Sequence, residues 1–472
     1  MTEPAVRPGL AWLSSRGPST PLGKERLARL VIFALFVALL MAHARLLRPV
    51  LQNGDSAVYN EQIEAGDFSH RVTHFGYFAL GGLFNHLPFG TELNMNVMVL
   101  TFGVCGLAGV YFVAQVWSGS RWLALGSVPL ALGLPSALRG MLLSEVDIVA
   151  ASLVVIAYAL FLRNRALLAG LTFGLSVLVT PLSGPMLLVF VLTVAVVPGA
   201  FRETLLGQIR RLLKFGLAAC LVYLPPILSH YTEYVYGGRG LMLAPRENYS
   251  LPERLARSWG FATHEARLVL PLCAVGAVVC LASRRIWRTG QPVIALVSSF
   301  FLMAIAGQRF SDVPVQLPNL LLLMALPPVA MAILPWGARL GLPLLAIISY
   351  LTLPGNYQRT TAEVESHDRT RRLLFGIREQ SLPQLPLLVG PAGWGQKRMF
   401  ERYAATGSTL APVFEEREFF RNVPRFAADN QYRIWFLRRA PGRQLAPLLG
   451  QFTLETRTVE GRAYQVLTPA RP

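Results

Sequence analysis

Apolar runs long enough to cross a bilayer recur along this chain, and short basic loops separate every second pair of them. A membrane span needs roughly 17–25 apolar residues, and backbone inside hydrocarbon must satisfy its own hydrogen bonds, which commits such runs to helix. The runs cover 30–47, 93–116, 122–138, 146–162, 166–180, 185–200, 212–228, 266–282, 293–307, 317–334 and 340–353. They predict an α-helical polytopic membrane protein with about eleven transmembrane helices. A further apolar piece, 75–87, is too short to cross and carries His74 and His86 at its ends. It reads as a helix lying at the interface.

Composition removes the alternatives. Hydrophobic residues make up 53% of the 472 and charged residues 15%, against roughly 25% charged in a soluble globule. The formal charge of +18 would suit a nucleic-acid binder only on a hydrophilic body, and here the basic residues punctuate apolar runs. Disorder and a disulfide scaffold are excluded too. Cys105, Cys220, Cys273 and Cys280 all lie in apolar stretches, and the chain holds no CxxC or HExxH.

Lys and Arg in short loops stay cytoplasmic. Arg7, Arg16, Lys24, Arg26 and Arg29 mark an inner N-terminal segment, 1–29. Arg121, the Arg163/Arg165 pair, the Arg202–Lys214 group, the Arg284–Arg288 group and Arg339 then fall in alternate loops. The opposite loops face outward, among them 48–92, and an odd number of spans places 355–472 outside. The transmembrane module is 30–354. Ala42-His43-Ala44 resembles a signal-peptide cleavage site; cleavage there would leave the remaining topology unchanged. The tail is richer in Arg, Glu, Gln and Pro. Alternating pieces at 433–437, 453–458 and 463–467, with helical patterns at 361–379 and 397–405, predict a small α/β domain in an extracytoplasmic (periplasmic) setting. Gly390 to Lys397 looks faintly like a phosphate loop, but no Ser or Thr follows the lysine.

Acidic residues near hydrocarbon are costly and point to function. Between Glu92 and Glu203 there are only two, Glu145 and Asp147, at the outer mouth of a predicted span and just after Arg139. The plainer reading of this pair is an interfacial contact of Glu145 with Arg139. The first outer loop carries Asp55, Ser56, Glu61, Glu64, Asp67, His70, Arg71 and His74. Asp55 falls a few residues past the first span, with Asp55 or Ser56 expected to cap a short helix. Two acids on separate outer loops suit convergence in one pocket. There a carboxylate can take a proton from a hydroxyl or hold a divalent cation against a phosphate. Arg309, in the outer loop Gly307-Gln308-Arg309-Phe310, is the best candidate cation for such a phosphate, because guanidinium matches phosphate geometry. A snorkelling anchor is its bland alternative.

These elements resemble the type C (GT-C) membrane glycosyltransferases, in particular the protein O-mannosyltransferase and lipid A aminoarabinose transferase families. The likeness rests on five segments. Gly54-Asp55-Ser56 follows the first span, and His74-Phe75-Gly76-Tyr77 takes the place of the juxtamembrane helix, without its prolines. Leu142 to Asp147 is similar to the second acidic motif. Gly170 to Ser176 together with Thr180-Pro181-Leu182-Ser183-Gly184-Pro185 stands where the next hairpin falls, without its lysine, and Arg309 precedes Pro314 and Pro318. The resemblance implies an inverting transferase that uses a polyprenyl-phosphate-linked sugar donor at the outer side of a bacterial inner membrane. Its acceptor would be a glycan, lipid or protein. By position, Asp55 would be the general base and Glu145 or Asp147 the second carboxylate. Arg309 would bind the donor phosphate, with Arg71, His74 and Arg139 as further donor contacts. A divalent cation (Mg or Mn), if one takes part, would sit on Asp55 and Glu145. Nucleic acid is no partner. Three rivals stand beside this reading: a transporter or flippase, disfavoured by spans nearly free of acids and by the lack of paired repeats, a polysaccharide polymerase or ligase using the loop 229–265, and a non-catalytic membrane scaffold carrying the outer domain.

Overall fold

The computed structural model describes residues 22–51, 54–66, 74–196, 205–229, 250–265, 267, 269–282, 313–334, 336–380, 387–390, 433–436, 442–450 and 452–469. The chain divides into two units. The first comprises Met1–Leu47, Gly66–Phe89 and Asn94–Thr361; the second comprises Arg48–Ala65, Gly90–Leu93 and Ala362–Pro472.

In the first unit the apolar runs fall on helices. Five are long and apolar enough to cross a membrane among the described residues: Arg26–Ala44, Thr91–Ser118, Leu206–Ser229, Gln316–Ile333 and Arg339–Glu379. Two bent pairs raise the number to seven, and four shorter apolar helices accompany them. The predicted run 293–307 lies outside the described residues.

The run 122–138, read as one straight span, is broken instead. Helices Arg121–Leu125 and Ser127–Leu132 are followed by Pro135–Leu142 across a bend of 76°. The cause is local: Pro135 opens the last helix, and the residue before a proline is driven out of the helical region, so Leu134 is extended (φ −80°, ψ 116°). Run 185–200 likewise begins in a 3-10 helix, Pro181–Met186, before Leu187–Val196. The short 75–87 piece forms helix Phe75–Phe84, whose Tyr77 and Phe78 are fully buried. One face of it is therefore covered by protein.

Packing of the first unit centres on an aromatic cluster that joins four helices. Phe190 stacks on Phe215 at 4.5 Å, and Tyr158, Phe161 and Phe173 meet Phe190 edge-on at 5.3–5.5 Å. Tyr158 and Thr193 hydroxyls bond at 2.8 Å, which satisfies the polar tips inside the apolar core. Helices Ala166–Val179 and Leu205–Ser229 approach backbone to backbone through Gly170 and Gly174. A Cβ on Gly170 would lie 2.2 Å from the Phe215 carbonyl oxygen, and one on Gly174 would lie 2.6 Å from that of Ala219. This is the small-xxx-small contact that lets membrane helices touch. Gly170→Leu is expected to destabilise the protein by roughly 3 kcal/mol in detergent, measured by thermal unfolding. Gly216→Ala, on the facing helix with nothing within 4 Å, serves as the near-neutral control.

The second unit holds a four-stranded sheet: β1 (Leu387–Gly390), β2 (Arg433–Phe436), β3 (Phe452–Val459) and β4 (Arg462–Pro469), in the order β1-β2-β4-β3. β1 and β2 are parallel; the other pairs are antiparallel. The β3–β4 hairpin turns on Glu460 and Gly461, both at positive φ (49° and 72°), as a two-residue turn between twisted strands requires. Val459 and Val466 from the hairpin and Trp435 from β2 pack with Leu374 and Ile377 of helix Gly337–Glu379. Leu51 and Ala57 complete this core. The segment between the first two long helices thus supplies part of the core beneath the C-terminal sheet. The predicted helix 397–405 lies outside the described residues.

Candidate active site

The helix Val146–Leu162 starts abruptly, with Glu145 immediately before it and Asp147 in its first turn. Leu143 and Glu145 are both extended, so only three residues separate it from helix Pro135–Leu142. Gly140 makes that close turn possible: a Cβ there would sit 2.9 Å from Ile148 Cβ and 3.2 Å from Glu145 Oε2. Arg139 Nε lies 3.7 Å from Glu145 Oε1, with the two side chains 42% and 15% exposed. Ser144 Oγ donates to Asn96 Oδ1 at 2.6 Å, anchoring the turn to helix Thr91–Ser118. The interfacial pair anticipated for Glu145 and Arg139 is thus formed.

Asp147 faces another environment. It sits in the first turn of the helix, at the positive end of the helix dipole, and lines a small, narrow pocket with Ala150, Ala151, Thr180, Leu182, Ser183 and Pro318. Among the described residues no hydrogen-bond donor is spent on its carboxylate. Thr180 ends helix Ala166–Val179 in an extended conformation, and Ser183 N donates to its carbonyl at 3.0 Å. Ser176 Oγ bonds the Ala150 carbonyl at 3.1 Å, locking the two helices behind the pocket. A carboxylate flanked by two hydroxyl-bearing residues can accept a proton or bind a substrate hydroxyl.

His74 belongs to the same turn. It is the N-cap of helix Phe75–Phe84, and its Nδ1–H donates to the Val179 carbonyl at 2.8 Å. That bond fixes the tautomer: the neutral ring keeps its lone pair on Nε2. The close fit comes from Gly76, whose Cβ would fall 2.7 Å from Val179 N. His74 and Asp147, 73 positions apart by subtraction, thus both border the segment 179–183.

The other predicted residues fall elsewhere. Asp55 is the second residue of helix Gly54–Ala65 in the second unit. The helix opens at Gly54, so Asp55 and Ser56 lie inside the first turn rather than at the expected cap position. The Asp55 side chain, Arg71 and Arg309 lie outside the described residues. No group of three or more His, Cys, Asp or Glu suited to a metal occurs among the described residues. Glu145, a candidate ligand for a divalent cation, is held by Arg139.

Sequence reasoning missed Thr180 and Ser183 as partners of an acid, and Pro318 as the far wall; the Thr-Pro and Leu-Pro punctuation was the available signal. It also missed Glu265, a buried acid whose Oε2 accepts from Ser136 N at 2.8 Å.

These features define a polytopic membrane protein with an acid-bearing pocket opening among its helices. No family model matches the chain, and no curated protein matches it in sequence. Solved structures do. ArnT from Cupriavidus metallidurans bound to undecaprenyl phosphate is similar over 92% of this chain and 97% of that one, with a TM-score of 0.62 and 14% identity. ArnT from the same organism in the apo state is similar over 93% and 98%, with a TM-score of 0.62 and 16% identity. The resemblance to the lipid A aminoarabinose transferases read from short motifs therefore extends to the fold.

Proposed function

We propose that this protein is an integral-membrane inverting glycosyltransferase that moves a sugar from a polyprenyl-phosphate donor to an envelope glycan, lipid or protein on the outer side of the membrane. The observation that carries the reading is the shared fold, over nearly the whole chain, with a structure that holds undecaprenyl phosphate.

The chemistry divides among the residues as follows. Asp55 takes the proton of the acceptor hydroxyl as that oxygen bonds to the sugar C1 from the face opposite the phosphate. The C1–O bond to phosphate breaks, and the electron pair leaves with the polyprenyl phosphate. Asp147, with Thr180 and Ser183 beside it, orients the acceptor or a sugar hydroxyl. Arg309 meets the charge growing on the leaving phosphate, with Arg71, Arg139 and His74 as further donor contacts. Of the two acids at the mouth of helix Val146–Leu162, Asp147 is the better second carboxylate, because Glu145 is committed to Arg139. In this reading the N-terminal segment lies in the cytoplasm of a bacterium, at its inner membrane, and the C-terminal α/β region lies outside. Glu145 would have to leave Arg139 before it could join Asp55 in holding a divalent cation, which would then aid phosphate departure. Transfer abolished by EDTA and restored by Mg or Mn supports that role, and transfer indifferent to chelation removes it.

Mass spectrometry of envelope glycans and lipids, with and without the gene, tests the reading. A species one sugar heavier is expected only when the gene is present. Identical profiles, under conditions where the protein is made, contradict it. Redistribution of an unchanged lipid-linked sugar across the membrane would favour a flippase instead.

A further inference from the structure

Two bent helices of the first unit are tied together at their elbows by one carboxylate. One elbow lies between Arg121–Leu132 and Pro135–Leu142, bent by 76°; the other separates Leu251–Glu265 from Leu270–Val279, bent by 110°. Glu265 is the last residue of its helix and only 7% exposed. Its Oε2 accepts the Ser136 backbone N–H at 2.8 Å, across 129 positions of sequence. Its Oε1 lies 3.7 Å from Nδ1 of the exposed His264.

Helix Pro135–Leu142 has no cap of its own. Leu134 precedes it without a side-chain hydrogen bond, and Pro135 occupies its first turn. Proline has no N–H, which leaves Ser136 as the first orphan donor. A carboxylate at that point satisfies the donor and also meets the positive end of the helix. Three residues on, the same helix presents Arg139 to Glu145, and Gly140 fits it against Ile148. The helix is therefore held by a carboxylate at each end: Glu265 at its start and Glu145 at its last turn.

We propose that Glu265 is a positioning residue. By capping helix Pro135–Leu142 it fixes where Arg139 stands, and with it the affinity of that guanidinium for the phosphate of the lipid donor. The latch stands on the geometry alone; its consequence for the donor rests on the function proposed above.

The test uses the full-length protein in nanodiscs, with Glu265→Ala and Glu265→Gln, hydrogen exchange, and binding of undecaprenyl phosphate. Glutamine keeps an acceptor oxygen for Ser136, whereas alanine removes it. In Glu265→Ala the amides of 136–143 are expected to exchange at least about tenfold faster while those of 148–162 keep their protection. Affinity for undecaprenyl phosphate should fall about tenfold with kcat for sugar transfer within about twofold of wild type. Glu265→Gln should restore both exchange and affinity to within about threefold, since it keeps the hydrogen bond and loses only the charge. Unchanged exchange in Glu265→Ala overturns the latch. Faster exchange with unchanged affinity overturns the positioning role. A wild-type protein that binds undecaprenyl phosphate but transfers no sugar counts against the glycosyltransferase reading, and the affinity comparison still decides the role of Glu265.

Discussion

Asp55→Asn is expected to lower sugar transfer by about 10²–10⁴-fold, the range lost when a positioned general base is removed, while the protein still reaches the membrane and folds. The competing role for this residue is local. Asp55 is the second residue of helix Gly54–Ala65, where an acid gains about 0.3–1 kcal/mol from the helix dipole. Asparagine gives up most of that charge effect and keeps the size and polarity of the side chain. A helix-stabilising role would therefore lower the thermal midpoint slightly and leave the rate nearly intact. The two roles separate in one experiment: transfer rate against unfolding temperature, measured on the same purified preparation. A rate near wild type removes Asp55 from the mechanism.

The second large effect discriminates between the two acids at the mouth of helix Val146–Leu162. Asp147→Asn should cost about 100-fold or more in transfer, because this carboxylate faces the pocket with Thr180 and Ser183. Glu145→Gln should cost far less. It breaks a partly exposed ion pair with Arg139, and such pairs contribute only about 0.2–1 kcal/mol, so its signature is a modest loss of stability. Asparagine is nearly isosteric with aspartate, so the pocket should survive the change; unchanged unfolding of Asp147→Asn is the control. The reverse ranking, with Glu145→Gln inactive and Asp147→Asn active, would transfer the role to Glu145.

How much of this was legible in the sequence depended on the range of the interactions involved. The apolar helices were legible, though not the number that cross, because a hydrophobic run declares itself locally, and so was the β3–β4 hairpin, whose alternating strands flank Glu460 and Gly461. The break at Leu134 left a local sign, Gly133-Leu134-Pro135, that a hydropathy count overrides. The Arg139–Glu145 pair was also within reach, being six residues apart across a short turn. Which acid faces the pocket was not. Glu145 is the extended residue before the helix and Asp147 lies in its first turn, but only packing against segment 179–183 and Pro318 decides which of them is covered. The Glu265–Ser136 bond and the placement of Leu51 and Ala57 beneath the C-terminal sheet join distant parts of the chain. A pattern read along one sequence carries no record of such pairings.

The most direct test follows the donor. Purified protein in liposomes, supplied with a polyprenyl-phosphate-linked sugar and an envelope extract as acceptor, should convert the donor to free polyprenyl phosphate with the sugar appearing on the acceptor in equal amount. Asp55→Asn and Asp147→Asn should leave the donor intact. Donor that persists unchanged with the wild-type protein, or is consumed equally by both variants, would contradict the account.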